Sequence, residues 1–157
     1  MTSITVSRVI NAPIETVFAR ASDPHRWADQ ISAITDIEVL TEGPVGIGTR
    51  FKETRVMFGK KATEEMTFSE FSPPTGYTLL ADSHGSAYVT KHSFEPDGDS
   101  TRMTMHFEAT PHSLGAKLLS PMFSLMKNSL KKCIAGDLDD LAKACEADVA
   151  GDESASA

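Results

Sequence analysis

Between Thr49 and Pro111 the chain alternates apolar and polar residues and is punctuated by short glycine turns, so the whole stretch reads as a succession of β-hairpins. It ends against a long amphipathic stretch, Leu114 to Glu146, whose apolar period is helical. Few architectures accept that order. A curved antiparallel sheet closing on one long helix does, and it leaves a space between them suited to a small, mostly apolar molecule.

The turns set a register, and the register decides which side chains share a face. With Asp97-Gly98 at a hairpin tip, Phe94 pairs with Thr101, His92 with Met103, Thr90 with Met105 and Tyr88 with Phe107. The opposite face, with Lys91, Ser93, Arg102, Thr104, His106 and Glu108, is polar and reads as solvent-facing. Gly85-Ser86 as the preceding tip adds Tyr77, Leu79, Ala81 and Ser83 to the inner face. Gly59-Lys60 as an earlier tip adds Phe51, Glu53, Arg55, Met57, Ala62, Glu64, Met66 and Phe68, and sets Arg55 directly across from Glu64.

Upstream, Ile4 to Ile10 alternate as a strand. Pro13 suits the first turn of a helix over Ile14 to Ala21, with Asn11 as its cap. Ser22-Asp23-Pro24 breaks it, a second short helix carries Trp27, and a strand follows from Ile34 to Leu40. The turn-rich Glu42 to Gly48 is expected near the mouth of the cavity. In the last helix Leu119, Met122, Met126, Leu130, Cys133, Ile134, Leu138, Leu141 and Cys145 form one stripe. Either Pro121 kinks this helix, or Leu114 to Leu119 is a separate turn and Ser120 caps the main helix. One domain over 1–147 is expected, with 148–157 a flexible tail of small and acidic residues.

Composition narrows the function classes. At a net charge of −7, with acids spread along the chain, nucleic acid is not an expected partner. No stretch approaches the ~20 apolar residues of a membrane span, and the N-terminus lacks a signal peptide's basic start and apolar core. The cytoplasm is the expected location. Cys133 and Cys145 stand about 18 Å apart along the helix, too far to bond, and read as small core residues. No Cys–His spacing suits a metal, no glycine pattern suits a nucleotide, and no serine sits in a nucleophile elbow. Neither metal nor cofactor is expected, and the oligomeric state is expected to be a monomer or a weak homodimer.

Several segments, Asn11-Ala-Pro-Ile-Glu-Thr-Val-Phe18, Asp23-Pro-His-Arg-Trp27, Gly46-Ile-Gly-Thr-Arg-Phe51 and Phe94-Glu-Pro-Asp-Gly-Asp-Ser-Thr-Arg102, occur in the order strand, two short helices, six strands, long helix. Together they resemble the START-related polyketide cyclase/dehydrase superfamily of helix-grip proteins, which includes the birch-pollen allergens and coenzyme-Q-binding proteins. The resemblance covers about residues 3 to 146. It implies an α+β helix-grip fold: a curved seven-stranded antiparallel sheet wrapped around a long C-terminal helix, enclosing a hydrophobic ligand. It supplies no family-wide catalytic motif.

The leading expectation is therefore binding, or transport, of a hydrophobic or amphipathic molecule such as a lipid, quinone or polyketide. Trp27, Phe51, Met57, Met66, Phe68, Leu79, Tyr88, Met103, Met105, Phe107, Met122 and Met126 would line the cavity, with Arg55, Glu64 and His92 as polar anchors. The alternative is a cyclase or dehydratase in which His92 or Glu64 moves a proton and Arg55 stabilises an enolate. Set against both, and preferred to a catalytic role, Arg55 and Glu64 read as a half-exposed salt bridge at a sheet edge, and His92 as a plain cavity-wall residue. A third reading, a protein-interaction module using the outer face of the sheet, lacks an apolar patch there.

Overall fold

In the computed structural model, which describes residues 1–156 without the side chains of Phe123 and 152–156, seven strands form a single antiparallel sheet. In chain order they are β1 (Thr2–Ile10), β2 (Ile34–Val39), β3 (Arg50–Met57), β4 (Lys60–Ser72), β5 (Gly76–Ser83), β6 (Ser86–Asp97) and β7 (Ser100–Pro111). Their spatial order is β1-β7-β6-β5-β4-β3-β2, so the strands that are first and second in sequence form the two edges. Between them run α1 (Ile14–Ala21), a 3-10 turn (Pro24–Arg26) and α2 (Trp27–Gln30), and the chain ends in α3 (Leu114–Leu125) and α4 (Lys127–Ser156). This is the helix-grip arrangement. Register breaks between β2 and β3 and between β4 and β5 add the local twist that bends the sheet toward α4.

Each hairpin tip sits one residue earlier or later than the turn pairs suggest. Asp97 pairs with Ser100, Ser83 with Ser86 and Met57 with Lys60, so Phe94 faces Met103, His92 faces Met105, Thr90 faces Phe107 and Tyr88 faces Ala109. The two central residues need φ > 0 at one or both positions, which Phe58-Gly59, His84-Gly85 and Gly98 supply. Partners therefore shift by two and every side chain keeps its face. One consequence is a correction: Arg55 lies across from Ala62, and it is Glu53 that faces Glu64.

The start of α1 also differs from expectation. Pro13 itself is the cap, and Asn11 instead receives a hydrogen bond from the Ser100 hydroxyl and donates its N–H to Glu146 Oε1 at 3.3 Å. Asp23 caps the following 3-10 turn, accepting the His25 N–H. The indole of Trp27 and the phenol of Tyr77 both donate to the Ala21 carbonyl, at 3.0 and 2.7 Å, which satisfies one exposed end of α1 from two directions.

The long helix departs most. It breaks at Met126, five residues beyond Pro121, while the hydrogen bonds Met126 N–H to Met122 O and Leu130 N–H to Met126 O persist. Ser120, expected as a cap of the main helix, lies inside α3, and Ser113 caps that segment by accepting the Ala116 N–H. Before the break α3 touches mainly β7 and α4, and Leu119 and Met122, expected in the buried stripe, are exposed. The stripe packs only from Ile134 onward, with Leu138, Leu141, Ala142 and Cys145 buried. α4 continues through Ser156, Val149 packs against the core and Asp148 pairs with Arg20, so 148 and 149 are not part of a free tail; the side chains of 152–157 lie outside the described residues.

Acids tie α4 to almost every element around it. Asp139 pairs with Arg8 on β1, Asp140 accepts the N–H and hydroxyl of Ser32, Glu146 meets Asn11, and Asp148 meets Arg20 on α1. Most of these contacts are exposed and individually weak. The apolar stripe supplies the attraction; the acids fix the rotation and height of the helix against the sheet.

Candidate functional site

A cavity of about 300 Å³ lies between the inner face of the sheet and the first half of α4. Its floor is an aromatic cluster at the end covered by α1 and α2. Phe18 makes edge contacts with Phe71, Tyr77 and Phe94, and Trp27 with Phe51. Its mouth lies between the β3–β4 tip, at Met57 and Phe58, and the α3–α4 junction, at Met126 and Leu130. The wall is predominantly apolar, with Met66, Leu79, Met103, Met105 and Ile134 among its residues. Tyr88 and Phe107 stack on each other within it, ring centres 5.8 Å apart.

Besides the partly exposed Glu64, charge enters this wall as one cluster. Arg55 donates from one guanidinium nitrogen to Glu53 at 2.7 Å and from the other to Asp137 at 2.9 Å. All three side chains are largely buried, exposed by 18% for Arg55, 7% for Glu53 and 13% for Asp137. β3 supplies the first two at positions i and i+2, which share a face, and α4 brings the third down from above. Burial alone would weaken the arginine's hold on its proton, but the two carboxylates override it and raise its pKa above the usual value. The triad carries one negative charge more than positive, and burial pushes the Asp137 carboxyl up to about 6 despite Arg55.

A stability signature follows from Asp137. The folded state keeps that proton to higher pH than the unfolded chain, so its contribution is greatest below about pH 4 and falls as pH rises through 6. Relative to Asp137→Asn, the wild type should therefore lose on the order of 2 kcal/mol between those limits in denaturant titrations. A gap that stays flat with pH would mean Asp137 titrates as an ordinary carboxylate.

The second polar feature is His92, 5% exposed on β6. Its ring stacks on Tyr77 at 4.2 Å and 16°, and burial drives its pKa down to about 3, so it is a neutral imidazole at any physiological pH. Its buried Nδ1 makes no hydrogen bond of full geometry among the described residues, and the nearby backbone of Thr90 and Tyr77 only partly offsets the effect of burial. A buried polar atom left unpaired costs about 1–3 kcal/mol, an expense a folded protein tolerates where a further group is to be bound.

Of the residues expected at the site, Trp27, Arg55, Met57, Glu64, Met66, Leu79, Tyr88, His92, Met103, Met105, Phe107 and Met126 do line the cavity. Three do not. Phe51 and Phe68 are wholly buried beneath it in the aromatic cluster, and Met122 lies out on α3. Glu64 reaches the wall but stands apart from Arg55; it is partly exposed, with His84 at 4.0 Å. The Glu42 to Gly48 loop is bonded to the β4 backbone, Gly48 N–H to Phe68 O, and takes no part in the lining. Tyr77, Glu53 and Asp137 complete the site beyond those expected. For Asp137 a signal existed: it lies four residues after Cys133 and four before Leu141, inside the apolar stripe, the position from which an acid meets an inward arginine.

Comparison with known proteins agrees with this geometry. Residues 1–146 match the family described as polyketide cyclase / dehydrase and lipid transport. The chain belongs to that family. Among solved structures, this polyketide cyclase/dehydrase family member is similar to the Zhui aromatase/cyclase from Streptomyces sp. R1128, at 14% identity and a TM-score of 0.78, covering 94% of this chain and 95% of that one. It is similar to a protein from Thermus thermophilus at 19% identity and a TM-score of 0.75, covering 93% and 98% of the two chains. Ara h 8.0201 matches at 16% and 0.72, again over 93% and 98%. At these identities the likeness is one of fold. No curated protein matches the sequence. Among the described residues, no helix is long and apolar enough to cross a membrane.

Proposed function

We propose that this family member is a cytoplasmic binding protein for an apolar, uncharged small molecule of lipid, quinone or polyketide type, held by a hydrogen bond at His92. The observation that carries this reading is a neutral histidine, its Nδ1 without a hydrogen bond of full geometry, in the wall of a predominantly apolar cavity. The net-negative triad favours a neutral ligand over a carboxylate, because Arg55 already has two acids to itself. A volume of about 300 Å³ suits a compact ring system or a short chain, at the small end of ligand cavities.

His92→Leu tests it directly. Removing the orphan nitrogen should leave stability unchanged or raise it by about 1 kcal/mol, while affinity for a carbonyl-bearing ligand such as a benzoquinone should fall about tenfold. Binding by calorimetry and unfolding by denaturant read the two effects separately. Unchanged affinity would remove His92 as the anchor, and extraction of the purified protein with no small molecule released, together with no quinone binding, would sink the carrier reading.

A second reading is favoured by one observation, the Asp137 carboxyl poised near pH 6 beside a fixed guanidinium. There Asp137 would take a proton from carbon next to a carbonyl, the bonding electrons moving onto the carbonyl oxygen as an enolate stabilised by the free donors of Arg55. In that chemistry Asp137 replaces Glu64, which does not meet Arg55. Asp137→Asn would then abolish turnover of a poly-β-carbonyl substrate with the fold intact.

A further inference from the structure

We propose that α3 and the β3–β4 tip form a docking surface for anionic lipid bilayers. On α3, Leu114, Leu118, Met122 and Leu125 follow one another at four, four and three residues and so share one stripe, and each is between 55% and 85% exposed. The helix packs chiefly on the end of β7 and the start of α4, and twelve residues so exposed need a further apolar surface to be stable in water. Across the cavity mouth the β3–β4 tip presents Phe58, 49% exposed, separated by Gly59 from the exposed Lys60 and Lys61.

Charge chooses the occupant. Residues 109–136 carry four lysines, Lys117, Lys127, Lys131 and Lys132, all exposed, and no acid, in a chain whose net charge is −7. An exposed apolar stripe with one lysine on its own helix, Lys117, and three on the helix that follows combines the apolar face and positive charge that favour the headgroup region of an anionic membrane. The same lysines would oppose each other across a dimer made through this face. An apolar patch, which the sequence pattern lacks on the outer face of the sheet, is thus present on α3. Met126 belongs to both surfaces, lining the cavity and standing 37% exposed, so the docked face opens onto the cavity rim.

Co-sedimentation with vesicles reads this surface alone and does not depend on the cavity being occupied. The full chain should pellet with vesicles of equal parts phosphatidylcholine and phosphatidylglycerol, release at high salt, and stay in solution with phosphatidylcholine alone. Leu118→Asp with Leu125→Asp should weaken binding at least about tenfold, as should Lys131→Glu with Lys132→Glu, at unchanged circular dichroism. Failure of the wild type to pellet with the anionic vesicles, equal pelleting with neutral ones, or variants that bind like wild type would each overturn the proposal. So would a dimer in sedimentation velocity that Leu118→Asp with Leu125→Asp dissociates in the absence of vesicle binding, which would assign the face to a second copy.

Discussion

Replacing Arg55 with methionine is expected to lower the free energy of unfolding by about 3–5 kcal/mol at neutral pH. The loss comes from what remains. Glu53 and Asp137 would be left buried on opposite sides of one cavity wall with no cation between them. Methionine fills much of the arginine's stem volume, so the effect reads charge and not a packing defect. Asp137 escapes by taking up a proton, and the deficit should shrink as pH falls toward 5, where equilibrium denaturation can follow it. A loss below about 1 kcal/mol would instead fit the exposed salt bridge that the sequence left open. The burial of all three side chains is what separates the two outcomes.

Phe68→Ala should be as damaging for a different reason. The Phe68 ring is fully buried, with Phe51, Phe71 and Tyr77 at 5.7, 5.9 and 5.4 Å from its centre. Truncation removes a large apolar surface and leaves a void that rigid aromatic neighbours cannot close, an expected loss of about 3–5 kcal/mol. Because Phe68 supports the floor without lining the cavity, ligand affinity at a temperature where the variant stays folded should change by less than about threefold. A large loss of affinity with little loss of stability would put the ring back in the cavity wall.

Much of this was legible in the sequence, and the reason is parity. Glycine turns place a hairpin tip to within a residue or two, and an error of two leaves every strand residue on its own face. That is why His92, Met103 and Arg55 point inward as expected although none has the expected cross-strand partner. Depth along the cavity is what alternation cannot give: Phe51 and Phe68 obey the same period as Met57 and Met66 and differ only in lying nearer α2. Partner choice fails for a related reason. Glu64 and Asp137 were both available acids, and only the height of α4 over β3 decides which reaches Arg55. On the helix, a 3.6-residue period continues through Met122, but periodicity does not reveal where along the helix its packing begins.

The sheet order also sets a folding itinerary. β1 leaves the ribosome first, yet its only strand partner is β7, with Thr2 joined to Ala109 and Ile10 to Thr101. Five local ladders, from β2–β3 to β6–β7, can zip in sequence before that closure, four of them across two or three residues and β2–β3 across ten. The β1–β7 ladder must wait for the largest loop in the protein, and with it wait the Arg8–Asp139 contact and the seating of α4 on β1. The pairing that seats the grip is therefore the most distant in sequence of any in the sheet, and until it forms the edge of β7 stays open to pairing with other chains.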